Sequence, residues 1–288
     1  MSGPVLAVDI GGTKVAVAVV RAGQVIAHEV AATPAAAGPE AVVTTVVGCA
    51  ARLAAAASLP ENVGVACAGI VSEGRVRAMS PELLPGWHDF PLAMRLTASL
   101  RALIEAPRVA ILNDAQAAAL GEQAHGAGRG RDSLLFVTVS TGVGGGLIVN
   151  GRVWRGATGL AGHIGHMRGR ELENIASGTA LARRAAELGH AVDARQVIDS
   201  AQAGAEWARG LLTDAATALA RALADVRVLL DPEVVVLGGG VGLNDGFRDA
   251  LEQEIRRLPD SNRLVVVPAR LGTAAGLIGA ATWAESNH

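Results

Sequence analysis

An α/β chain of two similar lobes is the fold this sequence predicts, on three observations. Short apolar runs such as Val5-Leu6-Ala7-Val8 and Val234-Val235-Val236-Leu237 stop abruptly at polar or glycine residues, as buried strands do. Alanine-rich stretches of helical length, residues 40–57 and 206–230, alternate with them. The same device of buried strand, Gly-rich turn and returning strand opens both halves, once after residue 5 and again after residue 133. That weak internal repeat points to two related lobes facing a cleft.

Taken in order, residues 5–10 form a strand, Gly11-Gly12-Thr13-Lys14 a tight turn, and residues 15–20 the returning strand. A β-branched run follows the glycines, so this is a hairpin and not the strand-loop-helix of a P-loop. Residues 25–30 add a third strand, 34–39 a loop and 40–57 a helix. A strand over 62–69 ends at Gly69. A small turn at Glu73-Gly74 interrupts 71–78, and 80–87 is a loop with two prolines before a helix over 90–103. The run Val109-Ala110-Ile111-Leu112 ends in Asn113-Asp114, and a helix follows to about residue 124. The Gly/Arg-rich segment 126–130 divides the chain into lobes of 1–125 and 126–288. In the second lobe, a strand over 133–140 meets the turn Thr141-Gly142-Val143-Gly144-Gly145-Gly146, and Asn150-Gly151 marks a further hairpin. A helix over 175–187 begins near Ser177-Gly178, and residues 195–199 are short and polar. The long helix 206–230, a strand over 233–237 into Gly238-Gly239-Gly240, a helix over 247–258 and a strand over 264–267 follow. The closing helix, 274–285, is free to pack back on the first lobe.

Composition narrows the function. The 288 residues suffice for a large core and two domains. Half are hydrophobic but only 2% are aromatic and none is Tyr, so Ala, Val, Leu and Ile build the core. Many of the 36 glycines stand in short clusters, which suits phosphate-binding turns. A net charge of −2 lacks the basic footprint of a nucleic-acid binder. Cys49 and Cys67 have no metal-site spacing; the sequence leaves a disulfide between them open, and free thiols of a reducing compartment are the expectation. There is no signal-peptide pattern and no membrane-spanning stretch, so the expectation is a soluble cytoplasmic protein without nucleic-acid or membrane partners.

Four strand ends offer ligand chemistry, and ligands of α/β sheets bind just beyond such ends. Gly11 to Lys14 lets backbone N–H groups approach a phosphate, with Asp9 placed to hold magnesium directly or through water. An ordinary hairpin turn with a solvated Lys14 explains the same residues. At Asn113-Asp114 a carboxylate can take a proton from a substrate hydroxyl. Both residues also suit plain helix capping. The remaining two are Thr141 to Gly146 and Gly238 to Gly240.

In combination these motifs resemble the sugar-kinase, actin and Hsp70 group of ATP-binding proteins, and more specifically the ROK family (repressors, open reading frames and sugar kinases). The carrying residues are Asp9-Ile10-Gly11-Gly12-Thr13-Lys14, Leu112-Asn113-Asp114-Ala115, the run from Thr141 through Gly165-His166, Leu237-Gly238-Gly239-Gly240-Val241 and Gly272-Thr273-Ala274-Ala275-Gly276. They span nearly the whole chain. The resemblance implies a two-lobed actin-like or hexokinase-like ATPase fold, each lobe a mixed sheet flanked by helices, with the active site in the interlobe cleft. It implies transfer of the γ-phosphoryl group of ATP to a sugar hydroxyl, with magnesium, in a homodimer. Asp114 becomes the base and Asn113 a sugar ligand. His163, His166 and Glu173 line the sugar pocket, with Gly69 and Ser80 contributed by the first lobe. Asp9, Gly11, Gly12, Thr13 and Lys14, with Thr141, Gly142 and Gly144, face the phosphates and metal, and Gly239 and Gly240 offer a surface for adenine.

Two departures from the family pattern matter. Most members follow the Gly-His with a Cys-rich loop that binds structural zinc, whereas His166 here precedes a shortened segment without cysteine. Tetrahedral zinc needs about four N or S ligands, so no zinc is expected. Many hexose kinases of the family also carry Glu-x-Gly-His where this chain has His163-Ile164-Gly165-His166. The variant is similar to that of bacterial N-acetylmannosamine kinases, which implies phosphorylation at the 6-hydroxyl of N-acetylmannosamine. An imidazole can donate to the acetyl carbonyl, which a carboxylate cannot. The alternatives are a His163 that merely packs under the loop, a glucokinase or other hexose kinase, and a non-catalytic sugar-binding protein. A sugar-responsive repressor is disfavoured, because the first strand begins at about residue 5 and leaves no room for a helix-turn-helix.

Overall fold

The computed structural model describes residues 3–79 and 85–287. Its first sheet contains β1 (Val5–Ile10), β2 (Lys14–Arg21), β3 (Gln24–Ala32), β4 (Asn62–Cys67) and β7 (Arg108–Asn113). The short hairpin β5 (Ile70–Ser72) and β6 (Arg75–Arg77) stands apart. Strand order is β3-β2-β1-β4-β7; the β1–β2–β3 pairings are antiparallel and the β1–β4–β7 pairings parallel. The second sheet repeats this plan with β8 (Leu134–Val139), β9 (Val143–Val149), β10 (Arg152–Trp154), β11 (Val234–Gly238) and β12 (Val266–Pro268). Its order is β10-β9-β8-β11-β12, again with an antiparallel meander beside parallel strands.

Helices α1 (Pro39–Ala54) and α2 (Leu92–Leu100) cover one face of the first sheet. On the second, α4 (Met167–Ala176), α5 (Gly178–Glu187), α6 (Ala194–Gln202), α7 (Glu206–Leu230) and α8 (Asp245–Arg257) build the largest core, organised around α7. Between the sheets run α3 (Asp114–His125) and α9 (Ala275–Ser286), packed on one another, with α3 against β8 and β9 and α9 against β1, β4 and β7. Such proximity requires small residues. A Cβ on Gly279 would lie 1.7 Å from the Ala117 carbonyl oxygen, and one on Gly64 would lie 1.9 Å from that of Ala280. At the far end of α3, buried Glu122 accepts N–H groups from Ala127 (2.7 Å), Arg270 (2.9 and 3.1 Å) and Leu271 (2.8 Å). One carboxylate thus ties α3 to the segment that leads into α9.

Three stretches differ from the sequence-based reading. Residues 167–174, given no element from the sequence, join 175–176 in α4, separate from α5, and its buried Leu172 and Ala176 belong to the core shared with α7. The short polar stretch near 195–199 is the middle of α6, which opens with a capping box between Asp193 and Gln196. The last strand begins at Val266, two residues later than expected.

Candidate active site

Parallel strands β4 and β7 deliver Cys67 and Asn113 side by side at one end of the first sheet. Asn113 is the N-cap of α3: its Oδ1 accepts the N–H groups of Ala115 (3.0 Å) and Gln116 (3.1 Å). Its Nδ2 donates to the Gly69 carbonyl (2.9 Å) and to Asp114 Oδ1 (2.8 Å). Asn113 thus caps α3 and lines the cavity at once. The Asn113 amide reaches the cavity with its hydrogen-bonding capacity already spent, which fits orienting Asp114 better than gripping a ligand.

Asp114 Oδ1 also accepts the Ala115 N–H at 2.9 Å. Burial pushes the Asp114 carboxyl above its ordinary value, against the pull of the Ala115 N–H, nearby His163 and the Asn113 amide. A helix N-terminus favours an ionised carboxylate; here desolvation outweighs it. A carboxylate of raised basicity is a better proton acceptor. Asp9, on β1, is pushed up to about 7, first by burial and then by the charge of Asp114, with Lys14 opposing. Two crowded carboxyls with so little compensation suit a cation. An oxygen donor set of this kind is what magnesium takes.

The two Gly-rich turns reach the same cavity, of about 500 Å³, from opposite sheets. Gly12 and Thr13 line it from the β1–β2 hairpin, where Gly11 N donates to Lys14 O (3.0 Å) and Thr33 Oγ1 to Gly11 O (2.7 Å). Thr141, Gly142 and Gly144 line it from the second hairpin. That turn is pinned from α5: Gly178 N donates to Ser140 O (2.7 Å) and Thr179 Oγ1 to Thr141 O (2.8 Å). Glu173, on α4, accepts the Val143 N–H through Oε2 at 3.1 Å. A residue expected in the sugar pocket thus also braces the second turn.

Of the other residues singled out, Gly69, Asn113, Asp114, His163, His166 and Glu173 line this cavity together. Gly69 is held at φ +112°, where a Cβ would lie 2.7 Å from the Arg77 carbonyl oxygen. Ser80 lies outside the described residues. Asp9, Gly11, Lys14, Gly239 and Gly240 are not among the lining residues. Gly239 follows β11 at φ +85°, where a Cβ would come within 2.3 Å of the Val139 carbonyl oxygen. Sequence reasoning missed Arg183, a cation of α5 at the cavity, the turn-bracing Thr179, and Ser177, which caps α5 and lines the cavity. Ser177 capping α5 was a readable signal; Arg183 had none. A smaller cavity of about 310 Å³ lies between α4, α5 and α7. Its arginines and acids mostly pair with each other, as Arg184 does with Asp214 and Arg168 with Asp225, and it holds none of the motif residues.

For zinc the donors do not fit. His163 and His166 stand with ring centroids 6.4 Å apart, and both cysteines are buried in the core of the first sheet, Cys49 on α1 and Cys67 on β4. Among the described residues no group of three or more His, Cys, Asp or Glu is arranged to hold a metal ion. No helix among them is long and apolar enough to cross a membrane.

A model of the ROK family matches residues 5–287. The chain belongs to the ROK family. It is 42% identical, over 99% of its length, to the bifunctional enzyme NanE/NanK of Brucella suis, and spans 54% of that protein, about half. It is 40% identical to the N-acetylmannosamine kinase of Yersinia pestis, covering 98% of each chain. Among solved ROK structures, a glucokinase from Streptomyces griseus in complex with glucose and AMPPNP superimposes with a TM-score of 0.82 at 30% identity, covering 99% of this chain and 100% of that one. The twin-sheet architecture is thus the actin-like ATPase fold of ROK kinases.

Proposed function

We propose that this chain is an ATP-dependent N-acetylmannosamine kinase that phosphorylates the 6-hydroxyl, giving N-acetylmannosamine 6-phosphate and ADP. The observation that carries this reading is the 40% identity to the Yersinia pestis N-acetylmannosamine kinase across 98% of both chains. The geometry supplies the parts. Asp114 takes the proton as O6 attacks the γ-phosphorus; the O6–P bond forms and the bond to the β-phosphate oxygen breaks. Gly12, Thr13, Thr141 and Gly142 present backbone N–H groups to the phosphates from the two sheets. Asp9 holds magnesium, which when bound neutralises phosphate charge. His163, His166 and Glu173 face the sugar, Arg183 adds positive charge at the same cavity, and Gly239 and Gly240 lie toward adenine. Zinc plays no part, and a cytoplasmic homodimer belongs to the same reading.

A ROK glucokinase is the second reading, favoured by the similarity to the Streptomyces griseus enzyme that binds glucose. Incubation with N-acetylmannosamine, ATP and magnesium, followed by phosphorus NMR, tests the first. A phosphate coupled to the two C6 protons is expected. ADP without a sugar phosphate, or a phosphate at another carbon, overturns it.

A further inference from the structure

Gln116 is fully buried on α3, two residues beyond Asp114. Its side-chain Nε2 donates to two carbonyls of the loop that leads to His163, Gly159 at 3.2 Å and Ala161 at 3.1 Å. These bracket Leu160, whose own carbonyl oxygen lies 3.0 Å from His163 Nδ1. The amide has one sensible orientation: reversed, its oxygen would face two acceptors. In that orientation Oε1 is buried with no partner among the described residues. An orphaned buried acceptor costs stability, so stability alone does not explain a glutamine here. Its two N–H donors are what the loop uses.

A carbonyl only accepts, so His163 Nδ1 carries the proton in the bond to Leu160. When the ring is neutral, Nε2 is then its acceptor. Nε2 is buried without a partner among the described residues, on a side chain that lines the cavity. We propose that Gln116 is a positioning residue: by holding loop 159–161 it fixes His163 as the Nδ1–H tautomer, so that Nε2 accepts a hydrogen bond from the sugar, from the N–H of a 2-acetamido group. The proposal rests on the acetamido-sugar kinase reading. It reverses the polarity expected from the sequence, where the imidazole was to donate to the acetyl carbonyl. In that tautomer the one ring N–H is already donated by Nδ1 to the Leu160 carbonyl oxygen.

Nitrogen-15 NMR of the histidine side chains in the free wild-type protein reads the tautomer directly. His163, assigned by a His163→Gln variant, is expected to show an unprotonated Nε2 and a protonated Nδ1. Gln116→Met keeps the volume but removes both donors, and its His163 is expected to populate both tautomers. Its KM for N-acetylmannosamine should rise about tenfold, the loss of roughly one well-made hydrogen bond. Its kcat should fall by a smaller factor, and its KM for ATP should stay within about twofold. A proton on Nε2 in the wild type overturns the proposal, as does a Gln116→Met enzyme with wild-type tautomer and sugar KM. Equal losses for sugar and ATP would mark general damage and also overturn it. Failure of the wild type to phosphorylate N-acetylmannosamine overturns the acetamido assignment, while the nitrogen spectrum still decides the positioning role.

Discussion

Replacing Asp9 by asparagine should stabilise the metal-free protein at alkaline pH and barely change it in acid. The Asp9 carboxyl is ordinarily half-ionised at 3.8 and in the folded chain at about 7. Between those values the folded state holds a proton that the unfolded chain has released. Stability therefore falls as pH rises through that window, by about 1.4 kcal/mol per pH unit. It is flat below the window and flat again above it. The whole effect is roughly 4 kcal/mol, a large share of the stability of an ordinary domain. An asparagine has no such dependence. From about pH 5 to about pH 8 the gap between Asp9→Asn and wild type should widen by roughly 3 kcal/mol in favour of the variant. Any pH-independent effect of the amide cancels in that comparison. Urea denaturation at both pH values, with a chelator present, measures the gap. Because the charge of Asp114 contributes to the Asp9 shift, introducing Asp114→Asn into both proteins should narrow the window from its upper end. A gap that stays constant with pH would refute the picture of an undercompensated carboxyl awaiting a cation.

Asp114→Asn keeps an oxygen for the Ala115 N–H and the Asn113 amide, so it should fold normally while kcat drops about 10²–10⁴-fold, the span of general-base catalysis. Steady-state kinetics beside a circular dichroism spectrum check this, and a kcat within about tenfold of wild type speaks against Asp114 as the base. Glu122→Ala leaves the N–H groups of Ala127, Arg270 and Leu271 without their acceptor. A loss of about 3–5 kcal/mol is expected by urea denaturation, and a loss under about 1 kcal/mol would show the tie to be dispensable. Metal analysis of purified protein should find no stoichiometric zinc; one zinc per chain would contradict the donor count at His163 and His166.

The strand ends were legible because hydrophobic runs stop there: Leu112 passes to Asn113-Asp114 and Ile10 to Gly11-Gly12 without ambiguity. The repeated hairpin device likewise announced two sheets of the same order. Helix α4 was not legible, since its segment is polar and begins with Arg168 and Gly169 at positive φ. It is helical because Leu172 and Ala176 join the core against α7, a contact that local pattern does not encode. Helix α6 did carry a signal, Asp193 three residues before Gln196, which can be read as a cap. At the site, residue types were readable but hydrogen-bond polarity was not. The proton on His163 is set by the Leu160 carbonyl, and that loop is held by Gln116, 43 residues before Gly159 in the chain. Nor does the sequence show that Gly69 and the start of α3 already use the amide of Asn113.

Substrate preference tests the central claim most directly. With ATP and magnesium held saturating, kcat/KM should be compared for N-acetylmannosamine, glucose, mannose and N-acetylglucosamine on one enzyme preparation. The reading advanced for this site predicts that N-acetylmannosamine exceeds glucose by at least about a hundredfold, the selectivity that a hydrogen-bonded substituent can provide. A glucose value equal to or above that of N-acetylmannosamine would contradict it and make the chain a hexose kinase of the family.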